Sequence, residues 1–265
     1  MVKKAHIVLI IFSCLILNFS CRKPGIVDGK KLEEFDIEDQ IIIGNTLEEK
    51  LRQNSENFNI LDENSYPQAY NYINTLLNTL LFTPMIENRT KFDWDITILH
   101  DDTMQTFFTL PGGKIYVYTG LLKYLNSEHE FLGILAHEMY YTDSDLSVLR
   151  IKNEFGGFIM GDIVLGNEVE GLSGMTEVIP YLTFAEEEVM EADTYATNIM
   201  CLFQYSPWGI WEVIENSSSE FLWLENRSCD EDSRWENFEK IILECDPGDV
   251  TNEENYYRFK TEYLP

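Results

Sequence analysis

Imidazole, the usual zinc ligand beside cysteine, is scarce among these 265 residues. Histidine occurs four times, at His6, His100, His129 and His137. His137 and the neighbouring Glu138 interrupt an apolar helical run, where an imidazole and a carboxylate both need partners. His129 falls two turns before His137, and His100 sits in a polar turn between strand signals. Asp145 shares the His137 face but lies two turns on, roughly 12 Å away and too far to share a metal. One imidazole alone does not hold zinc usefully. The five cysteines form no CxxC pair, so a cysteine-based zinc ribbon is excluded. Aspartate and glutamate outnumber lysine and arginine by 46 to 19, giving a net charge of −27. Without basic surface to release phosphate counterions, nucleic acid is excluded as a partner. The same acidic excess repels anionic lipid headgroups and reads as a solvated surface that collects Ca²⁺ weakly at most.

The elements that must position His137 and Glu138 are legible around them. Ser127-x-x-Glu130 is a capping box before Phe131, Leu132, Ile134 and Leu135, and it starts a helix that runs through His137 towards Arg150. Upstream, helices are predicted over Glu33 to Leu51 and Tyr70 to Leu81. Trp94, Ile96 and Ile98 alternate with polar partners, and Ile115, Val117 and Thr119 alternate with tyrosines across the turn Leu110-Pro111-Gly112-Gly113. Two or three antiparallel strands are expected. Residues 155–174 hold six glycines and read as a loosely packed connection. Glu186 to Phe203 is helical again, with Val189, Ala192, Ala196, Ile199 and Phe203 on one apolar seam. Further helices are expected over Trp208 to Glu215, Phe221 to Leu224 and Trp235 to Leu243. The tyrosines and tryptophans of the C-terminal third read as core. The fold class is α+β, mostly helical, in one domain over residues 33–265.

The N-terminus has a different character. Met1-Val2-Lys3-Lys4 precedes an apolar run, Ile7 to Leu17, that is too short to span a bilayer but suits the core of a secretory signal. Asn18-Phe19-Ser20-Cys21 resembles a relaxed bacterial lipobox, which implies cleavage after residue 20 and a lipid on Cys21, with residues 21–32 as a tether. The resemblance implies attachment to a membrane through the lipid, in the bacterial cell envelope. Ordinary signal cleavage and an uncleaved anchor are the alternatives. Export leaves Cys201, Cys229 and Cys245 in the mature body. Cys201 lies in an apolar helical run and reads as a buried small hydrophobe. Cys229 and Cys245 would close a short disulfide loop.

The stretch Leu110-Pro-Gly-Gly-Lys-Ile-Tyr-Val-Tyr-Thr-Gly-Leu-Leu122, followed by Ala136-His137-Glu138, resembles the zinc metallopeptidases of the CAAX prenyl endopeptidase type, and most of all their soluble exported members. Glu191-Ala192-Asp193 and Pro207 also match, and the likeness spans roughly residues 35 to 215. It implies a zincin-like fold with a small antiparallel sheet beside the active-site helix. It also implies a zinc site built on H-E-x-x-H, with two histidines on one helix face, a glutamate general base between them and a third ligand from a second helix.

This sequence keeps part of that set. By resemblance His137 matches the first zinc ligand, Glu138 the general base and Asp193 a group that orients His137 from behind. The second ligand position holds Tyr141 and the third holds Val189. Glu188 is one residue from the third position, which turns it about 100° around the helix. Zinc is therefore expected to be absent or weak. Tyr141 could fill the lost space with its ring and bring its hydroxyl near His137 or Glu138.

Three functions follow as expectations. The chain is a non-catalytic envelope lipoprotein that binds a polypeptide substrate or client, with Lys114 to Thr119 corresponding to the family's substrate-pairing strand. Alternatively it is a divergent active metalloendopeptidase acting on envelope proteins, or a purely structural surface lipoprotein. The lipid is directly testable. Palmitate labelling should mark the wild type and spare Cys21→Ala, and equal labelling of the two would remove the lipoprotein reading.

Overall fold

Around the Pro-Gly-Gly turn the sequence alternates side chains of two kinds, and that alternation divides the core. The computed structural model describes residues 26–27, 30–31, 35–217, 222–225, 227, 229–245 and 247–265. The signal run and Cys21 lie outside the described residues. Two strands, β1 (Ile26–Val27) and β2 (Lys30–Lys31), pair antiparallel in a unit of their own, Met1–Glu34. Phe35–Pro265 is the second unit.

That second unit opens with α1 (Ile37–Gln53), capped reciprocally by Asp36 and Asp39, and α2 (Pro67–Leu81), which starts on a proline. Strands β3 (Asp95–Leu99), β4 (Phe107–Leu110) and β5 (Lys114–Tyr118) follow, then α3 (Thr119–Tyr124) and α4 (Glu128–Asp143). Next come α5 (Leu146–Phe155), α6 (Gly157–Val164), α7 (Leu172–Val178) and a 3₁₀ turn, Ile179–Tyr181. The chain ends with α8 (Glu186–Met200), α9 (Gly209–Asn216), α10 (Leu222–Glu225), α11 (Glu231–Glu244) and α12 (Glu253–Arg258). The fold is thus α+β and mostly helical, as expected.

The sheet is mixed rather than antiparallel. β5 lies in the centre, antiparallel to β4 and parallel to β3. The tight Pro-Gly-Gly turn forces the β4–β5 hairpin. The longer connection from His100 to Thr106 instead carries the chain past the β5 position before β4 begins. Alternation reveals a strand but not its neighbours. Its effect on burial is clear. Phe107, Ile115 and Val117 face one core with α2, α4, α8 and α9, while Phe108, Tyr116 and Tyr118 face a second core with α1, α5, α6 and α7. α1 approaches the hairpin so closely that a Cβ on Gly44 would lie 1.9 Å from the carbonyl oxygen of Pro111.

The helix begun at Ser127 stops at Asp143 instead of running to Arg150. Asp145 turns left-handed at φ 65° and accepts a hydrogen bond from Gln40 Nε2 at 2.8 Å, so a new helix starts in a new direction. The glycine-rich stretch holds α6 and α7, contrary to the loose connection expected there. Gly156 divides α5 from α6 at a φ of 94°, and Met160, Ile163, Leu172 and Met175 are buried in the second core.

The disulfide also differs from the expected pair. Cys201 at the end of α8 bonds Cys245 at the end of α11, with Cα atoms 5.8 Å apart, and Cys229 is free. α11 packs along α8, which returns Cys245 to the α8 terminus. Cys229 instead faces Glu186 at the opposite end of α8, 3.8 Å away. Burial pushes the Cys229 thiol up to about 11, so it is inert at neutral pH. Peptide mapping without reduction should recover Cys201 joined to Cys245 and only Cys229 alkylated. With the bonded cysteines 44 positions apart in sequence, Cys245→Ser should lower unfolding free energy by about 4 kcal/mol at most on the chain-entropy account, read by urea denaturation.

Candidate active site

The long face shared by α4 and α8 brings five of the residues singled out in the sequence to one place. α4 carries His137, Glu138 and Tyr141, and α8 carries Val189 and Asp193. Spacing explains the meeting. His137 and Tyr141 stand one turn apart, as do Val189 and Asp193, so each pair shares a helix face. His137, Tyr141 and Val189 have no exposed surface, and Glu138 has 1%.

Each ring nitrogen of His137 faces a partner. Nε2 lies 2.9 Å from the Tyr141 hydroxyl, and Nδ1 lies 3.0 Å from Asp193 Oδ1. The second contact is an ion-pair distance at an angle that forms no hydrogen bond. Burial lowers the basicity of His137 against the pull of Asp193, leaving the ring neutral at pH 7. Burial also raises the Tyr141 phenol well above its usual value, so it stays protonated. Its ring stacks on Phe184 with centroids 3.5 Å apart.

The two carboxylates are each held by a guanidinium. Arg227 Nη2 sits 2.6 Å from Glu138 Oε1, which also accepts from Trp223 Nε1 at 2.9 Å. Arg234 donates twice to Asp193, from Nε and Nη2, both at 2.7 Å. Burial works against the Asp193 anion, but Arg234 and His137 outweigh it and hold the carboxyl below the ordinary range. Two acids, two guanidinium groups and a neutral imidazole sum to no net charge.

A zinc ion does not fit these residues. The nitrogen that would bind it faces Tyr141, Val189 offers no donor, and two cations already stand on the carboxylates. Among the described residues no group of three or more His, Cys, Asp or Glu is placed to hold a metal. Glu188, one position from the third ligand place, turns away to cap the Ala185 N–H and pair with Arg150. His129 is committed to the α4 cap, with Nδ1 on Ser127 at 2.6 Å and Nε2 on Glu212 at 3.0 Å. Lys114 to Thr119 is not an accessible pairing strand, because β5 is bonded on both sides. The strand that lies at the sheet edge beside Glu138 is β4.

Phe184, Trp223, Arg227 and Arg234 escaped the sequence reading. One signal was present. Arg227 and Arg234 are the only basic residues between Lys152 and Lys240 in a chain crowded with acids.

The α+β architecture and the His-Glu helix packed on an Asp-bearing helix are consistent with a likeness to the zinc metallopeptidases. Residues 67–154, about a third of the chain, match peptidase family M48, which is zinc-dependent. Among curated proteins, the chain is similar to the mitochondrial metalloendopeptidase OMA1 of Schizosaccharomyces pombe, at 28% identity over 74 residues. The match covers 28% of this chain and 21% of that protein.

Replacing Arg234 with leucine should cost about 3–5 kcal/mol at pH 7, because Asp193 is left buried and unpaired. The wild-type pair contributes fully above the unfolded carboxylate value and is lost as pH falls through the depressed folded value. The difference between wild type and Arg234→Leu should therefore shrink with acidification. Urea denaturation at several pH values reads it, and a difference independent of pH would contradict the assignment.

Proposed function

We propose that this chain is a non-catalytic relative of the zinc metallopeptidases, a lipoprotein of the bacterial envelope that binds polypeptide without cutting it. The contact that carries the reading is the Tyr141 hydroxyl on His137 Nε2 at 2.9 Å, which takes the nitrogen a zinc ion would need. Arg227 supports it by occupying Glu138, the residue that resemblance makes the general base. The lipobox-like Asn18 to Cys21 supports anchoring, and the Cys201–Cys245 bond suits an oxidising compartment outside the cytosol. The family likeness favours the exported bacterial branch of the CAAX prenyl endopeptidase type. A client polypeptide is the partner that a retained peptidase groove would take.

Metal content and cleavage test this together. The mature wild-type protein should purify with far less than one zinc per chain and leave casein uncut, and its melting temperature should ignore chelators. Tyr141→His combined with Val189→Glu should bring zinc back, with either change alone doing much less. The double variant should melt lower in chelator and recover with zinc, since a carboxylate on the apolar seam is costly unless paired. Stoichiometric zinc in the wild type, with hydrolysis abolished by Glu138→Gln, would overturn the proposal.

A further inference from the structure

A small cavity opens beside Glu138, and the polar atoms around it lack something they could bind. It has about 340 Å³ of free space including its open mouth. Three successive β4 residues, Phe107, Phe108 and Thr109, line it. A sheet face shows alternate residues, so three in a row mark the strand edge. α5 adds Ser147 and Arg150, one turn apart, and Arg227 lines it as well.

Ser147 Oγ, Arg150 Nε and Arg227 Nε are buried without a hydrogen-bond partner among the described residues. Ser147 and Arg227 are each 3% exposed. Each arginine spends one terminal nitrogen on an acid, Arg150 on Glu188 and Arg227 on Glu138, and keeps Nε free. The N-cap of α5 makes no side-chain bond to its first-turn amides. Buried donors left unpaired are costly, and the three residues that carry them all line one cavity. A water offers two lone pairs to three such donors, whereas a carboxylate offers about four.

We propose that this cavity binds a carboxylate, held by Arg150, Arg227 and Ser147 at the edge of β4. The small size of the cavity suits a head group, with the rest of the ligand in the open mouth. Two sources supply that chemistry, a free small carboxylate or the C-terminus of a polypeptide lying along β4. The polypeptide source rests on the binding reading above, and the carboxylate site does not.

Formate titrated into the full mature protein, against sodium chloride at equal ionic strength, tests the site. Trp223 is a reporter, because the Arg227 guanidinium lies 5.4 Å from its ring. A saturable fluorescence change and a rise in melting temperature are expected, with affinity about tenfold weaker in Arg227→Lys and in Ser147→Ala. Arg227→Lys keeps a charge for Glu138 but cannot also offer a second directed N–H, and Ser147→Ala removes only a hydroxyl. A decapeptide with a free C-terminus should bind about tenfold more tightly than its amidated twin. Formate binding with neither peptide bound supports the site with a free carboxylate as occupant, and it is then the polypeptide reading that fails. No saturable response to formate, or an unchanged response in both variants, would overturn the site.

Discussion

Two charges buried on facing helices set the terms for the rest of this molecule. Glu138 and Asp193 lie where water cannot reach them, and an isolated carboxylate in such a place costs several kcal/mol. Each is answered by one guanidinium from the C-terminal third of the chain. The pairing ties together elements that lie far apart in the chain. α4 and α8 bring the acids, while Arg227, just after α10, and Arg234, on α11, bring the counter-charges. The disulfide at the far ends of α8 and α11 closes the same layer from the other side. A guanidinium is planar and suited to a two-pronged carboxylate contact, and Arg234 on Asp193 has that form.

The same arrangement makes a packed, neutral interior at the place where the family likeness would put a hydrolytic centre. A buried site that holds two acids needs its volume filled and its negative charge matched, and both needs are met here. Tyr141 takes the volume with a ring that stacks on Phe184 and a hydroxyl that meets the surviving imidazole. Val189 extends the apolar seam of α8 across the place of a carboxylate. The two arginines take over the charge balance. Aromatic faces from Tyr141, Phe184 and Trp223 lie within 5.4 to 5.7 Å of the Arg227 guanidinium, which suits a weakly hydrated cation buried at a junction.

Much of this was legible from residue order, for reasons that are local. Capping residues and helical periodicity announce α4, and a proline followed by two glycines announces the hairpin. The meeting of His137, Tyr141, Val189 and Asp193 could be anticipated because helical spacing and a family likeness both pointed to it. The failures share a cause too. The partner of β3, the cysteine that meets Cys245 and the arginines that neutralise Glu138 and Asp193 are all fixed by contacts far apart in sequence. Composition misled at residues 155–174, where glycines sit between helices rather than replacing them. The helix break at Asp145 depends on one left-handed residue tied to Gln40 on α1, which no local pattern encodes.

The location of the arginines has a consequence for how the chain is made. Residues 67–154 hold the recognised domain, yet Arg227 and Arg234 come some 70 residues or more after it ends. A nascent chain emerging N-terminus first therefore presents Glu138, and later Asp193, well before either counter-charge exists outside the ribosome. Closing the interior around His137 before then would bury a carboxylate without its counter-charge, at a cost of several kcal/mol. Completion waits for the last segments of the polypeptide.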